Sequence, residues 1–207
     1  MHYKRFISII TLLIIASIIH GCGFCNIITK QYIFTKDGNL RPAKNRFKLG
    51  KTPYMLKDDD LIKTNCVYQS CTVSTDEEYT KSSTCDSIPA NDLVTFFRFF
   101  KNGRFLISHI LSNDINAQSY NTLKGDVGYY TIENGDLILE YFSVNFGGMA
   151  SDCGRYYTSI YTLRDDAIIP SSQRVSNNGI WYAWEKIPYT QSFKKIEIKN
   201  LTTTPDW

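Results

Sequence analysis

The chain has 207 residues and a formal net charge of +3, to which Lys4 and Arg5 contribute two positive charges. The rest carries 21 basic and 20 acidic side chains without a lysine or arginine cluster, so we exclude nucleic acid as a partner. Hydrophobic residues make up 43% of the chain and aromatic residues 14%, which excludes a disordered protein and favours strands over helices.

The first 21 residues have the pattern of an export signal. A basic start with Lys4 and Arg5 is followed by an apolar run over residues 6–19. This run is shorter than the roughly 20 residues that a membrane-spanning helix needs, and it has the length of a signal-peptide core. We therefore predict an exported precursor, with an uncleaved membrane anchor as the alternative.

The signal ends in the sequence IHGC at residues 19–22, which resembles the lipobox of bacterial lipoproteins. The resemblance implies a signal peptide of residues 1–21 and lipid attachment to the thiol of Cys22. Each buried methylene of an acyl chain contributes roughly 0.8 kcal/mol, so such a lipid holds a protein on a membrane. In these lipoproteins an Asp after the cysteine retains the protein in the inner membrane. Gly23 stands there, and the outer membrane is therefore predicted, with either of its faces possible.

Residues 22–60 are predicted to be a tether between the lipid and a folded domain. They contain at most one strand, over 31–35, which ends at the turn-forming sequence KDGN. Residues 41–51 are basic and begin near a proline, as in a spacer. We expect the folded domain at 61–190 and a C-terminal tail or extra strand at 191–207.

Short β-rich runs separated by turn residues fill the chain after residue 61, without a long apolar pattern at helical spacing. Asn102-Gly103 and Asn134-Gly135 each lie between two such runs, and Asn-Gly at this place predicts a hairpin with a type I′ turn. The predicted strands are 66–73, 93–100, 105–111, 125–132, 137–144, 155–163, 167–169 and 180–187.

These predicted strands, about eight in number, are nearly all joined to their sequence neighbours, which indicates an antiparallel meander. Because an open sheet exposes two edges, we predict an all-β barrel or a strongly curved half-barrel. A barrel of this size holds a side-chain core or one small ligand. Residues 112–124 are expected to cross one mouth as a loop or short helix.

Two segments resemble small bacterial lipoproteins that carry a lipocalin-like domain. They are FFRFFKNGRF at residues 96–105 and GYYTIENGDLILEYF at residues 128–142. The likeness covers residues 61–188, and it implies a lipocalin-like β-barrel behind a lipid anchor.

Of the six cysteines, Cys22 is predicted to carry the lipid, and disulfides are the usual role of the other five in an exported protein. Because five is an odd number, at least one of them is expected to be unpaired or to pair between chains. Cys66, Cys71 and Cys85 lie within twenty residues, so one bridge among them is predicted to pin the polar loop 74–89. A zinc site that adds Cys153 is the alternative, but the spacing matches no zinc template. We expect neither a metal nor a cofactor.

Catalytic patterns are sparse, and we predict that the protein is not an enzyme. His109 is the only histidine after the signal, and no G-x-S-x-G nucleophile sequence accompanies it. We expect it to be a strand residue that faces solvent or is hydrogen-bonded. The spacing of the acids in the predicted hairpins selects no catalytic pair; they are Glu133, Asp136, Glu140, Asp165 and Asp166.

Three functions are compatible with this sequence. The first is a lipid-anchored binding module that takes a small apolar ligand or an envelope component at the barrel mouth or on an outward aromatic face. The second is a protein-interaction module, such as an inhibitor or assembly accessory, with contact loops 74–89 and 112–124. The third is a hydrolase, which needs convergent acids in a cleft.

Overall fold

The computed structural model describes residues 31–70, 88, 90–144, 154–177, 180–186 and 192–207. The predicted signal peptide and Cys22 lie outside these ranges. The described residues contain short 3-10 turns at Leu49–Lys51, Ser112–Asp114 and Ser119–Asn121. The strands, in chain order, are β1 (Tyr32–Phe34), β2 (Leu40–Pro42), β3 (Cys66–Ser70), β4 (Leu93–Phe99), β5 (Arg104–Leu111), β6 (Asp126–Glu133), β7 (Asp136–Val144), β8 (Gly154–Leu163), β9 (Ala167–Asn177), β10 (Ile180–Trp181), β11 (Glu185–Lys186) and β12 (Phe193–Glu197).

Eight of these strands form a closed antiparallel barrel. Strands β3 to β9 follow one another as a meander, each paired with its sequence neighbour. Strand β12 lies between the ends of the meander, where Phe193 pairs with Ser70 of β3 and with Ile168 of β9. The predicted all-β, lipocalin-like antiparallel meander is confirmed, and it closes fully. Among the described residues, no helix has the length and apolarity required to cross a membrane.

The last strand of the barrel is not the one that the sequence predicted. In the described part of the predicted strand 180–187, which is residues 180–186, the strands are the short β10 and β11, and both pair back onto β9. The barrel is closed by β12, which lies in the region predicted as a tail or extra strand at 191–207. The folded domain therefore extends beyond its predicted end at residue 190.

Both Asn-Gly hairpins form, but with different turns. Asn134 and Gly135 have φ of 53° and 84°, as the predicted type I′ turn requires. In the β4–β5 hairpin only Gly103 has a positive φ, 74°, so its loop is a three-residue turn that ends in a left-handed residue. A Cβ on Gly103 would lie 2.4 Å from the carbonyl oxygen of Tyr54, which makes glycine necessary there.

Inward-facing side chains fill one half of the barrel, which we call the closed half. Phe97 lies at its centre, with ring centroids 4.6 Å from Phe193 and 5.6 Å from Tyr161. The hydroxyl of Tyr130 donates to the carbonyl oxygen of Phe100 at 2.9 Å. No member of the closed half is more than 6% exposed; the members are Tyr68, Phe97, Phe99, Phe105, Tyr130, Leu137, Leu139, Tyr161, Ile168 and Phe193.

The outer face of the barrel is also apolar, and residues before the barrel cover part of it. Tyr129 and Phe142 pack outward against Tyr32 and Phe47, and the rings of Phe47 and Tyr129 are 5.2 Å apart. The prediction of a tether over 22–60 is therefore wrong for its described part, residues 31–60. The cause is the strand alternation, because β6 and β7 carry aromatic residues on both faces and the outer face must also be covered.

Two buried arginines attach the C-terminal residues to this assembly. Arg41 is 4% exposed and forms an ion pair of 2.8 Å with Asp206. Its guanidinium also lies 5.1 Å from the ring centroid of Trp207. Arg98 is 3% exposed and donates to the carbonyl oxygen of Thr203 at 2.9 Å. These contacts fix residues 203–207 on the outside of the barrel.

Candidate functional site

The half of the barrel interior opposite the closed half is polar. At the ends of β6, β7 and β8 that lie away from the β6–β7 turn, the inward residues are Asp126, Ser143 and Arg155. We call these three residues the charged row. The side chain of Ser143 lies beside the Asp126 carboxyl group, and Ser143 is the register partner of Arg155. Strand alternation places these residues on the inner face, because they are in phase with the closed-half residues of the same strands.

A layer of aromatic and amide side chains lies next to the charged row. The rings of Tyr141 and Tyr157 are stacked, with centroids 5.1 Å apart and an interplanar angle of 12°. The amide nitrogen of Gln173 donates to the hydroxyl oxygens of Tyr141 and Ser159, in the second case at 3.1 Å. The Arg155 guanidinium lies close to Tyr157 and lowers the pKa of its hydroxyl. The layer therefore has aromatic faces and hydrogen-bonding groups at one place.

Burial has a clear electrostatic effect in this half of the barrel. It raises the pKa of Asp126 to about 6, although the neighbouring Ser143 hydroxyl acts in the opposite direction. Burial also raises the pKa of Tyr157, while the charge of Arg155 lowers it. Among the described residues, neither Asp126 nor Arg155 belongs to an ion pair. The interior thus contains an acidic and a cationic side chain, each half-buried, that do not form an ion pair with each other.

The acids that the sequence marked as possible catalytic groups do not converge in a cleft. Glu133 and Asp136 are register partners beside the β6–β7 turn, and Asp165 and Asp166 are exposed in the turn before β9. Glu140 is 2% exposed on the outer face, where its carboxylate accepts a hydrogen bond of 2.8 Å from the backbone nitrogen of Leu49. Glu140 therefore holds the covering segment on the barrel.

His109 occupies the strand position that was predicted for it. It is exposed near the end of β5, and its Nδ1 lies 2.9 Å from the hydroxyl oxygen of Thr95. A nucleophile and its base need a third group that orients the base. The described residues show only the hydrogen bond between Thr95 and His109, so we interpret the threonine hydroxyl as a hydrogen-bond partner.

The predicted disulfide candidates are only partly described. Cys66 is buried and free, and its thiol donates to the carbonyl oxygen of Lys63 at 3.3 Å. Burial raises the pKa of this thiol, which keeps it protonated and unreactive. Cys71 and Cys85 lie outside the described residues, as does Cys153.

A second concave surface lies on the outside of the barrel, between the segment 112–121 and β12. It is an open groove of about 780 Å³ with isoleucine walls and a polar floor, where the hydroxyl of Tyr120 donates to Gln69. Its apolar lining comprises Ile88, Ile115, Ala117, Ile196 and Ile198. Part of the predicted loop 112–124 therefore borders a groove on the barrel wall.

Sequence reasoning missed the charged row, although a signal for it was present. The Asn134-Gly135 turn fixes the register of β6 and β7, and Tyr130 is inward as part of the aromatic core. Counting back by twos from Tyr130 reaches Asp126, so an acid inside the barrel follows from the hairpin phase. The sequence alone could not place Arg155 of β8 or Gln173 of β9 in this half of the barrel, because their positions depend on the pairing of β7, β8 and β9.

Comparisons of the chain with family models, with curated proteins and with solved structures found no match.

We expect the stability of the protein to fall as pH rises from about 4 to about 7, through the titration of Asp126. The folded-state pKa of about 6 is above the ordinary value of 3.8, so the folded state holds this proton more tightly than the unfolded state. Discounted for partial exposure, the destabilisation at pH 7 is about 2 kcal/mol. The variant Asp126→Asn should lack this destabilisation and should therefore be more stable than the wild-type protein at pH 7.

Urea denaturation of both proteins between pH 4 and pH 7 measures this difference. Asp136→Asn, in the turn at the other end of the barrel, is the control and should follow the wild-type curve. A wild-type protein that gains stability relative to Asp126→Asn over this range would contradict the expected burial of Asp126.

Proposed function

We propose that this protein is a lipid-anchored, non-enzymatic binding module of the bacterial cell envelope, and that a small polar ligand binds in the polar half of its barrel. The observation that carries this proposal is the charged row, which places half-buried Asp126 and Arg155 inside the barrel without an ion pair to a described residue. Half-buried charges that are not neutralised destabilise a fold, and they are typical of sites where function requires them.

The dense packing of the closed half favours a polar ligand over the small apolar ligand that the sequence suggested. Its aromatic side chains are buried against one another, so an apolar molecule would have to displace the core. Next to the charged row, Tyr157 is half-buried and presents both a ring and a hydroxyl. A ligand there would contact Tyr157 while its polar groups meet the row.

The chemistry of the row supports binding rather than hydrolysis. Glycoside hydrolysis uses two carboxyl groups that flank the scissile bond. Asp126 has Ser143 and Arg155 beside it on the neighbouring strands, so the described part of the row provides one carboxyl group. A hydroxyl, a guanidinium and a carboxylate in this arrangement are suited to hold a polar molecule in place.

The anchor and location are proposed from the sequence. We propose that Cys22 is acylated and that the protein resides in the outer membrane. Eight residues, 23–30, lie between Cys22 and the first described residue, Gln31, so the two can be at most about 30 Å apart. The β1–β2 hairpin that follows exposes Ile33 and Phe34, at 53% and 63%. These side chains are compatible with a position close to a membrane surface.

The outer groove favours a second candidate, the protein-interaction role. Apolar side chains of β12 and of the segment 112–121 meet in an open groove that an extended aliphatic segment of an envelope protein would fit. The variant Ile196→Asp should abolish such a complex and leave small-ligand binding in the barrel unchanged, so the two roles can be separated by one substitution.

Anchoring can be measured on the full chain expressed in a Gram-negative host. We expect intact mass to show a product that begins at an acylated Cys22 and partitions into the detergent phase. Cys22→Ala should remain unprocessed or move to the aqueous phase. An unmodified N-terminus on the wild-type product, with equal partitioning of both proteins, would overturn the anchor.

Binding in the polar half can be tested by calorimetric titration of the full-length protein with a library of small polar molecules. A ligand that binds in the polar half should lose at least tenfold in affinity to Ser143→Tyr, because the new ring would occupy the space beside the row. Thr162→Tyr places the same ring on an outward position of β8 and should leave the affinity within twofold. Equal losses in both variants, or no ligand in the library, would count against the proposed site.

A further inference from the structure

The two charges of the charged row lie on strands that are not neighbours. Asp126 is on β6 and Arg155 is on β8, with Ser143 of β7 between them. Adjacent strands are about 4.8 Å apart, so the backbones at the two charged residues are separated by roughly 10 Å. The two side chains therefore flank the space above Ser143 from opposite sides.

This arrangement differs from an internal salt bridge. An ion pair would neutralise both charges and lower the pKa of the acid, whereas burial raises the pKa of Asp126 above its usual range. Neither charge lies within 4.0 Å of an oppositely charged group of another described residue. A molecule that neutralises both charges at once would remove the cost of burying them.

Other titratable groups near the row do not provide this neutralisation. Tyr141 and Tyr157 lie beside Asp126, and burial raises the pKa of both, so they are uncharged. His109, on β5, is in phase with the inward-facing Phe105 and Ile107, and burial lowers its pKa, so it is uncharged at neutral pH. Beside the charged row, the described residues thus offer one negative and one positive group, with a neutral aromatic face next to them.

We propose that the charged row binds a small zwitterion, with its ammonium group at the Asp126 carboxylate and its carboxylate at the Arg155 guanidinium. This inference rests on the proposed function and defines the ligand class for the same site. Charge-assisted hydrogen bonds of about 2.8 Å would hold the two ends. The ring of Tyr157, which neighbours both charges, would contact the ammonium end through its face.

The spacing suits a molecule with few bonds between its charges. The backbones at Asp126 and Arg155 are roughly 10 Å apart, and both side chains extend toward the space above Ser143, so a ligand that contacts both charges needs only a few bonds between its own charges. α-, β- and γ-Amino acids meet this condition. The hydroxyl of Ser143, between the two charges, can also hydrogen-bond the middle of such a ligand.

The test is calorimetric titration of the full-length protein at pH 7.5 with glycine, β-alanine and 4-aminobutyrate. Propylamine, propionate and propionamide serve as probes with one charge or none. We expect at least one zwitterion to bind tenfold more tightly than each of the three partial probes. Asp126→Asn should lower zwitterion affinity at least tenfold and leave propionate affinity unchanged. Arg155→Gln should lower zwitterion affinity equally and leave propylamine affinity unchanged.

Matched controls neutralise charges at the other end of the barrel. Asp136→Asn and Arg164→Gln lie beside turns there, and both should keep wild-type affinity. Thermal unfolding of each variant checks that the barrel is intact. A zwitterion affinity that is insensitive to both row variants, or equal to that of propionamide, would overturn the inference.

The outcomes also separate this inference from the proposed function. If an uncharged polar molecule binds and Ser143→Tyr abolishes its binding, the barrel site stands and the zwitterion is rejected. If neither the zwitterions nor any molecule of the broader polar library binds, both proposals fail.

Discussion

The pairing of β12 with both β3 and β9 is the constraint on which the rest of the structure depends. Phe193 is a register partner of Ser70 on one side and of Ile168 on the other. Strand β12 therefore pairs with the backbone groups of β3 and β9 that the meander would otherwise leave exposed at its two edges. Closure gives every barrel residue an inner or an outer position. The inner positions then divide into a closed half around Phe97 and a polar half with the charged row.

The outside of the barrel is covered by the chain itself, which narrows the surfaces left for function. Phe47 packs on the outward Tyr129, and Arg41 and Arg98 attach the C-terminal residues around Asp206. The outward aromatic residues that the sequence suggested as a binding surface are mostly used in this packing. Among the described residues, the polar half of the interior and the open groove beside β12 are the surfaces proposed to bind a ligand or a partner.

The sequence predicted the barrel because Asn-Gly turns and strand alternation are local signals. It placed the closing strand wrongly, since the FKKIE sequence of β12 is polar and the neighbours that bury Phe193 are distant in sequence. It read residues 31–60 as a tether because packing on Tyr129 has no local signature. The charged row was missed because half of its evidence is not local. The phase of the β6–β7 hairpin places Asp126 inside the barrel, but only the β7–β8 register brings Arg155 to the same row.

The central claim is that the barrel interior is filled at one half and accessible at the other. Its most direct test is NMR relaxation of aromatic side chains in the presence of a soluble paramagnetic agent. The ring protons of half-buried Tyr157 should relax much faster with the agent, while those of Phe97, which is 2% exposed, should not change. Equal protection of both rings would contradict an accessible polar half, and equal relaxation of both would contradict a filled closed half.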